Sequence, residues 1–199
     1  MAMAAVVVLS NVLVQFPVQA VLGGVQLADL LTWGAFTYPA AFLVTDLTNR
    51  RLGPAAARKV VATGFVLAVL LSIWLASPRI AMASGSAFLM AQLLDVLIFN
   101  RLRRGVWWRA PLLSSVFGSL LDTALFFSLA FAAGFAFLGA NDGFAIAPAP
   151  LLGIFTLELP RWMSWALGDL AVKLLVALTL LAPYRLLRGW LAPQDYAPA

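Results

Sequence analysis

The stretch that decides the fold is 111–131, PLLSSVFGSLLDTALFFSLAF. It contains one ionisable side chain, Asp122, among residues that are otherwise apolar, small or hydroxylic. About 20 mostly apolar residues in a helix match the thickness of a bilayer core. The stretch therefore predicts a transmembrane helix with an acid near its midpoint.

The composition of the whole chain agrees with this stretch. Hydrophobic residues make up 63% of the 199 positions and charged residues only 11%, and the mean hydropathy is +0.98. A soluble domain carries about 25% charged residues. The chain is therefore expected to reside in a membrane, because a water-soluble fold would lack the polar surface it needs.

Six segments are long and apolar enough to be transmembrane helices. We predict an all-α integral membrane protein in which residues 1–199 form a single transmembrane domain, with spans at about 3–22, 33–50, 59–77, 80–101, 111–138 and 162–186. The first segment is interpreted as an uncleaved helix. A cleaved signal peptide normally has basic residues before its apolar run, and this segment has none. Pro39 interrupts the second segment.

The basic residues predict the orientation. Ten of them flank the connections on one side of the predicted helices: Arg50, Arg51, Arg58, Lys59, Arg101, Arg103, Arg104, Arg109, Arg185 and Arg188. The other side carries only Arg79 and Arg161. Loops rich in Lys and Arg stay in the cytoplasm, so both termini are expected to be cytoplasmic. We interpret the net charge of +5 as this topological signal and expect no nucleic-acid partner.

Several kinds of chemistry lack the residues they need. The chain has no Cys and no His, which removes thiol nucleophiles, Cys/His metal sites and histidine proton relays. It also lacks the Gly-x-x-x-x-Gly-Lys-Ser/Thr loop that binds ATP phosphates. We expect no cofactor, no metal and no enzymatic activity. A membrane-embedded transferase is the competing enzyme class, since residues 46–58 faintly resemble the Asp/Arg signature of phosphatidyl-alcohol transferases.

Five ionisable residues fall inside the predicted spans: Asp46, Asp95, Asp122, Asp169 and Lys173. Charged groups in hydrocarbon cost several kcal/mol and normally mark a function. Asp169 and Lys173 are one helical turn apart, so they are expected to pair, and Asp122 is then either protonated or reaching for the same lysine. Asp46 either pairs with Arg50 at i,i+4 or joins a binding site.

Polar side chains form stripes at helical spacing on four of the spans. Each stripe includes an aromatic residue or a proline: Asn11, Gln15 and Pro17; Phe88, Gln92, Asp95 and Phe99; Ser115, Ser119, Asp122 and Phe126; Trp162, Trp165, Asp169 and Lys173. If these stripes converge, they form a small pocket that can stack and hydrogen-bond a flat polar ligand.

An ordered set of motifs resembles the queuosine-precursor transporter family, also called the vitamin uptake transporter family. The motifs are Ser10–Pro17, Thr32–Phe36, Thr45–Thr48, Gln92–Arg101, Phe117–Thr123 and Asp169–Lys173. The resemblance implies uptake of 7-cyano-7-deazaguanine, and of its aminomethyl relative, across a bacterial inner membrane. It also implies a six-helix fold similar to the substrate-binding subunits of energy-coupling-factor transporters.

The chemistry of a 7-deazaguanine suggests which polar residues read it. Its adjacent N–H and amino groups suit a carboxylate, so we expect Asp95 or Asp122 to accept from this edge. Its O6 needs a donor, for which the candidates are Gln92, Asn11 and Gln15.

The faces of the base and the charge of the site call for further residues. Trp33, Phe36 or Phe99 is expected to stack on the ring, and Asp169 with Lys173 to hold the charge of the network and carry a coupling proton. A solitary vitamin- or purine-binding subunit for another ligand is the alternative transporter. Proton coupling, passive entry and a separate energising ATPase partner all stay open, as does a homodimer.

Overall fold

The computed structural model describes residues 1–190, which form a helix bundle with two small hairpins. The helices are α1 Ala2–Leu13, α2 Gly34–Thr37, α3 Ala40–Leu75, α4 Pro78–Leu102, α5 Arg109–Phe131, α6 Gly143–Ile146, α7 Arg161–Thr179 and α8 Leu181–Trp190. Four helical stretches are long and apolar enough to cross a membrane: Gly34–Leu75, Pro78–Leu102, Arg109–Phe131 and Arg161–Gly189. The protein is therefore mostly helical and contains several membrane-length segments.

The longest stretch, Gly34–Leu75, is broken near its middle. Its 42 residues would extend about 63 Å as one straight helix, twice the thickness of a bilayer core. Gly53 has φ 80° and ψ 175°, a conformation that is essentially restricted to glycine. Pro54 follows, and it both lacks an N–H and disfavours a helical residue before it. The predicted segments 33–50 and 59–77 lie on either side of this break.

The first helix is shorter than the sequence suggested. We predicted a helix over about 3–22, whereas α1 ends at Leu13. The next residues form a hairpin of β1, Val21–Leu22, and β2, Val25–Gln26. The turn between these strands is Gly23–Gly24, where both residues have positive φ, as two-residue hairpin turns require. The 12 residues of α1 cover about 18 Å.

The segment between α5 and α7 has structure of its own. The predicted span over 111–138 ends as an α-helix at Phe131 and continues as the 3₁₀ helix Ala133–Leu138. The Asp142 carboxylate then accepts hydrogen bonds from the first N–H groups of α6. Strands β3, Pro148–Pro150, and β4, Glu158–Pro160, pair antiparallel. The predicted span over 162–186 is also divided, into α7 and α8.

The helices pack around α4. This helix lies between α3 and α5, while α1 packs against α3 and α7 against α5. Gly118 allows the close approach of α5 to α3, because a Cβ at this position would be 2.7 Å from the Phe42 ring. Large apolar side chains such as Leu70 and Trp74 point outwards and are 61% and 82% exposed. Surfaces of this kind suit contact with lipid rather than water.

One end of the bundle, here called the loop-rich end, carries the connections at 14–33, 76–77 and 132–160. Arg79 is only 4% exposed at this end. Its guanidinium ties α4 to the last of these connections through bonds to the carbonyl oxygens of Leu129, Ala132, Gly139 and Ala140 and to the Asn141 side chain.

At the opposite end, here called the arginine-rich end, the break in α3 at Gly53 lies near the connection that follows α4. The Arg50 guanidinium donates to the Arg103 carbonyl at 2.7 Å and to the Tyr184 hydroxyl at 3.1 Å. The Arg185 guanidinium lies 5.4 Å from the Trp107 ring centroid. The basic residues that we predicted to share one side of the membrane therefore include several that meet at one end of the molecule.

Candidate functional site

A cavity of about 750 Å³ lies at the loop-rich end. Its walls come from α1, the segment 28–32, α2 with the following Tyr38, and the helices α4, α5 and α7. Phe144, Ala149, Pro150 and Gly153 from the connection before α7 also line it. Pockets for small ligands are commonly about 300–1,000 Å³ and mostly apolar with a few polar groups. This cavity has that size and that kind of lining.

A buried ion-pair network forms one wall of the cavity. The Lys173 Nζ lies 2.6 Å from Asp122 Oδ2 and 2.5 Å from Asp169 Oδ2. The Tyr38 hydroxyl donates to Asp122 Oδ1 at 3.0 Å, and the Thr123 hydroxyl donates to Asp169 Oδ2 at 2.9 Å. We predicted that Asp169 pairs with this lysine and left two states open for Asp122, and the structure brings all three residues together. Two carboxylates and one ammonium leave the network with a formal charge of −1.

The two acids differ in how much binding capacity they keep. Both oxygens of Asp122 accept hydrogen bonds, and its side chain is 6% exposed. The Asp169 side chain is 15% exposed. Within residues 1–190 its Oδ2 takes both the lysine and the threonine, whereas no donor reaches its Oδ1. Asp169 is therefore the acid of this network with a free acceptor beside the cavity.

Aromatic side chains form a further part of the cavity wall. Phe126, Phe127, Phe131, Phe144 and Trp165 all line the cavity. The Phe131 and Trp165 rings meet edge to face, with centroids 5.5 Å apart, and the Phe144 ring lies 6.1 Å from Trp165. Such rings can stack on a planar ligand.

Arg161 sits where α7 enters the cavity. Its guanidinium lies 3.8 Å over the Phe144 ring, and its buried Nε has no hydrogen-bond partner among the described residues. Since Arg161 also lines the cavity, its guanidinium is a candidate donor to an acceptor on a ligand.

Of the four predicted candidates Asn11, Gln15, Trp33 and Phe36, one lines the cavity and three do not. Asn11 lines the cavity, but its amide nitrogen donates to the Val7 carbonyl at 2.9 Å. Gln15 is exposed after the end of α1 and does not line the cavity. Trp33 is 47% exposed, and its ring lies 5.6 Å from that of Phe36. Neither of these two rings lines the cavity.

The remaining predicted candidates lie nearer the arginine-rich end. Asp46, Gln92, Asp95 and Phe99 are each 1% exposed or less, and none lines the cavity. Gln92 Oε1 accepts from the Thr45 hydroxyl at 2.6 Å.

Phe99 packs against the arginine-rich end instead of a ligand space. Its ring lies 6.2 Å from that of Tyr184 and 5.7 Å from the Arg50 guanidinium. Arg50 forms no ion pair with Asp46 within the described residues, so the i,i+4 pairing considered for Asp46 does not occur.

Two aromatic residues of the cavity, Phe126 and Trp165, belong to the polar stripes described from the sequence, although the sequence did not assign them to the binding site. Phe126 follows Asp122 by one turn, and Trp165 precedes Asp169 by one turn. Helical spacing to a buried acid was therefore a usable signal for both. Tyr38 and Arg161 carried no such signal, since they are brought to the cavity by the fold of segments far apart in sequence.

Comparison with known proteins identifies the family. The model of a family described as "Putative vitamin uptake transporter" matches residues 32–77 and 70–187. The chain is 34% identical to a queuosine precursor transporter of Escherichia coli K12, over 89% of this chain and 79% of that protein.

Two further relatives match over shorter stretches. The chain is 43% identical to a probable queuosine precursor transporter of Haemophilus influenzae, over 50% of this chain and 52% of that protein. A probable queuosine precursor transporter of Bacillus subtilis is 29% identical, over 50% of this chain and 56% of that protein. No solved structure matches the chain. The resemblance read from the motifs is thus confirmed, and the chain belongs to the vitamin uptake transporter family.

Proposed function

We propose that this protein imports a queuosine precursor, 7-cyano-7-deazaguanine and its aminomethyl relative, and holds the base in the cavity at the loop-rich end. The names of its relatives support the substrate class. The observation that carries the proposal is the cavity itself, which has the size of a small-ligand site and is lined by both aromatic rings and Asp169, whose Oδ1 is free among the described residues. The transporter family is consistent with a role other than catalysis.

The polar groups of the cavity fit the edges of the base. An N–H of the edge that carries the adjacent N–H and amino groups donates to Asp169 Oδ1, which is free among the described residues. This differs from our expectation of Asp95 or Asp122, because Asp95 is outside the cavity and each oxygen of Asp122 already accepts a hydrogen bond. Hydrogen bonds to a charged group contribute about 1.5–3 kcal/mol each.

The opposite edge and the faces of the base find partners in the same cavity. The O6 atom accepts from the Arg161 guanidinium, which lines the cavity, and Trp165 or Phe131 stacks on the ring. Stacking of a base on an aromatic side chain is worth about 1–3 kcal/mol. These roles replace those that the sequence suggested for Trp33, Phe36 and Phe99, which do not line the cavity.

We further propose that the chain crosses a bacterial inner membrane six times. The break at Gly53 divides Gly34–Leu75 into parts of about 28 and 33 Å, each close to one bilayer core. Together with α1, α4, α5 and the pair α7–α8 this makes six crossings. α1 is shorter than the others, and its last turn borders the cavity. It therefore needs to cover only the distance from the arginine-rich end to the cavity.

An even number of crossings puts both termini on one side. The ten basic residues of the arginine-rich side support a cytoplasmic location for that side. The cavity then opens to the outside, where an importer collects its cargo. A fold similar to the energy-coupling-factor subunits stays a prediction.

An uptake experiment tests the proposed function. In a bacterium that cannot make the precursor, the queuosine content of tRNA reports on import. Asp169→Asn keeps the shape of the side chain but removes its charge, so we expect import at low substrate concentration to fall by about tenfold or more. Asp142→Asn is the matched control, because it removes one charge at an exposed helix cap where Asn serves equally well.

Unchanged import by Asp169→Asn at normal membrane levels would contradict the assignment of the base to this carboxylate. A wild-type protein that imports guanine or a vitamin instead of the deazaguanine would support the alternative of a transporter subunit for another ligand.

A further inference from the structure

A second pair of acids lies in the bundle, outside the cavity. Asp46 on α3 and Asp95 on α4 are 1% and 0% exposed. They lie at matching positions of the two helices, between the Thr45–Gln92 bond and the bond from Asn49 to the Val96 carbonyl, so their carboxyl groups are close together. We call these two residues the acid pair. The Ser114 hydroxyl donates to Asp46 Oδ1 at 3.3 Å. Within residues 1–190, neither acid takes part in an ion pair.

The nearby cations are engaged elsewhere. Arg50 is one turn from Asp46 on the same helix, yet its guanidinium bonds the Tyr184 hydroxyl and the Arg103 carbonyl. Arg103, at the end of α4, donates to the Asn49 carbonyl at 3.4 Å. Tyr184 on α8 is the other titratable group near the pair. The acid pair thus differs from Asp122 and Asp169, which share a lysine.

Two buried carboxylates without a counter-ion are strongly unfavourable when both are charged. A single proton shared between them removes one charge and supplies a hydrogen-bond donor. The structure has a place for that donor, because both oxygens of Asp95 are buried and accept no hydrogen bond from any described residue. The geometry therefore fits an acid pair that holds one proton.

Further unpaired polar atoms surround the pair. Gln92 Nε2 and Asn49 Oδ1 are buried without partners among residues 1–190, and each residue is one turn from an acid. Their other polar atoms join α3 to α4, where Asn49 Nδ2 donates to the Val96 carbonyl at 3.1 Å. The polar surroundings of the acid pair are therefore closed in this structure but retain unused hydrogen-bonding capacity.

The acid pair lies between the cavity and the arginine-rich end. Tyr38, which lines the cavity, is eight residues before Asp46, and Ala87, which also lines it, is eight residues before Asp95. Eight residues correspond to about 12 Å along a helix. In the other direction, Arg50 is only one turn away. A proton bound to the acid pair therefore lies close both to the cavity and to the contact between α3 and α4 near the arginine-rich end.

We propose that the acid pair is the proton-binding site that couples import to the proton gradient. One proton enters from the loop-rich side, is held between Asp46 and Asp95, and leaves at the arginine-rich side. Without this proton the two carboxylates repel each other and favour separation of α3 from α4 at that end. With it, the two helices pack as they do in this structure. The proposal rests on the proposed import function and moves the coupling proton from Asp169 and Lys173 to this pair.

Proteoliposomes containing the purified protein and labelled 7-cyano-7-deazaguanine test the coupling. With an inward proton gradient of one pH unit, one proton per base predicts accumulation of up to about tenfold over the outside concentration. Asp46→Asn and Asp95→Asn are expected to accumulate none, yet to exchange labelled for unlabelled base, because the cavity is intact. Asp142→Asn is the matched control and is expected to behave as the wild type.

An infrared measurement tests the proton without transport. The wild-type protein is expected to show the C=O stretching band of a protonated carboxylic acid, and the double variant Asp46→Asn/Asp95→Asn to lose it. Thermal unfolding of each variant checks that it is folded. Asp142→Asn is expected to keep the band.

Gradient-driven accumulation by folded Asp46→Asn or Asp95→Asn would overturn the proposal. So would accumulation by the wild type that follows a sodium gradient, or a folded wild type without the carboxylic acid band. A wild type that neither binds nor moves the base would instead overturn the proposed function, and the infrared band would then decide the proton site alone.

Discussion

Lys173 is the residue whose replacement should disturb the cavity most. Its ammonium group lies 2.6 Å from Asp122 Oδ2 and 2.5 Å from Asp169 Oδ2, and its side chain is 5% exposed. Lys173→Met keeps a long unbranched side chain but removes the ammonium group, which leaves two buried acids without a cation. Breaking a buried ion pair by removing one partner costs about 3–5 kcal/mol.

The size of this loss can be measured by thermal unfolding in detergent. For a chain of 150–250 residues, 1 kcal/mol corresponds to about 2–4 °C in Tm, so Lys173→Met is expected to lower the Tm by about 6–20 °C. The double variant Asp169→Asn/Lys173→Met removes one of the two stranded charges. Its Tm is expected to lie closer to that of the wild type, with a coupling of about 0.5–3 kcal/mol.

A Tm change below about 2 °C for Lys173→Met would refute this reasoning, since the two acids would then not depend on the lysine. A double variant that is less stable than Lys173→Met alone would also refute it, because neutralising one acid would bring no relief. Asp142→Asn serves as the control for loss of a surface charge.

Three other substitutions test the cavity and the packing. Trp165→Ala should weaken binding of 7-cyano-7-deazaguanine by about tenfold, since stacking on a base is worth about 1–3 kcal/mol; unaltered affinity in a binding titration would exclude this ring as the stacking partner. Gly118→Ala should destabilise the bundle by about 1–3 kcal/mol in thermal unfolding, because its Cβ would lie 2.7 Å from the Phe42 ring, and a wild-type Tm would count against that contact. Arg79→Gln should speed proteolysis within 132–160, since the guanidinium bonds four carbonyl oxygens around this segment; equal cleavage rates would show that the segment is held in another way.

The sequence was informative where a single helix carries the signal. Asp169 and Lys173 are one turn apart, so their pairing followed from helical spacing alone. Asp122 was a candidate to join them, because a buried acid at that depth is either protonated or near a cation, and Lys173 is the cation nearest the middle of a predicted span. Both inferences need only the rise of the helix and the cost of charge in hydrocarbon.

The sequence was less informative where the fold decides which faces meet. A stripe defines one face of a helix but not the neighbour that it faces, so Gln92 and Asp95 were grouped with Asp122 although they face α3, away from the cavity. The end of α1 at Leu13 was missed because the apolar run continues to Leu22. The turn at Gly23–Gly24 was the available signal for the hairpin that ends that run.

The segment before α7 shows a third kind of difficulty. Its sequence is apolar and contains several prolines, and Phe144, Ala149 and Pro150 line the cavity. Which surface it covers depends on tertiary contacts such as the Arg161–Phe144 pair, and local propensity carries no information about these contacts.

The central claim is that the cavity at the loop-rich end binds a 7-deazaguanine through Asp169. Equilibrium binding of labelled 7-cyano-7-deazaguanine to the purified protein in detergent tests it most directly, with guanine as competitor. We predict one saturable site, weaker competition by guanine, and a loss of affinity of about tenfold or more in Asp169→Asn but not in Asp142→Asn. Absence of saturable binding to the folded wild type, or equal affinity in Asp169→Asn, would contradict the account.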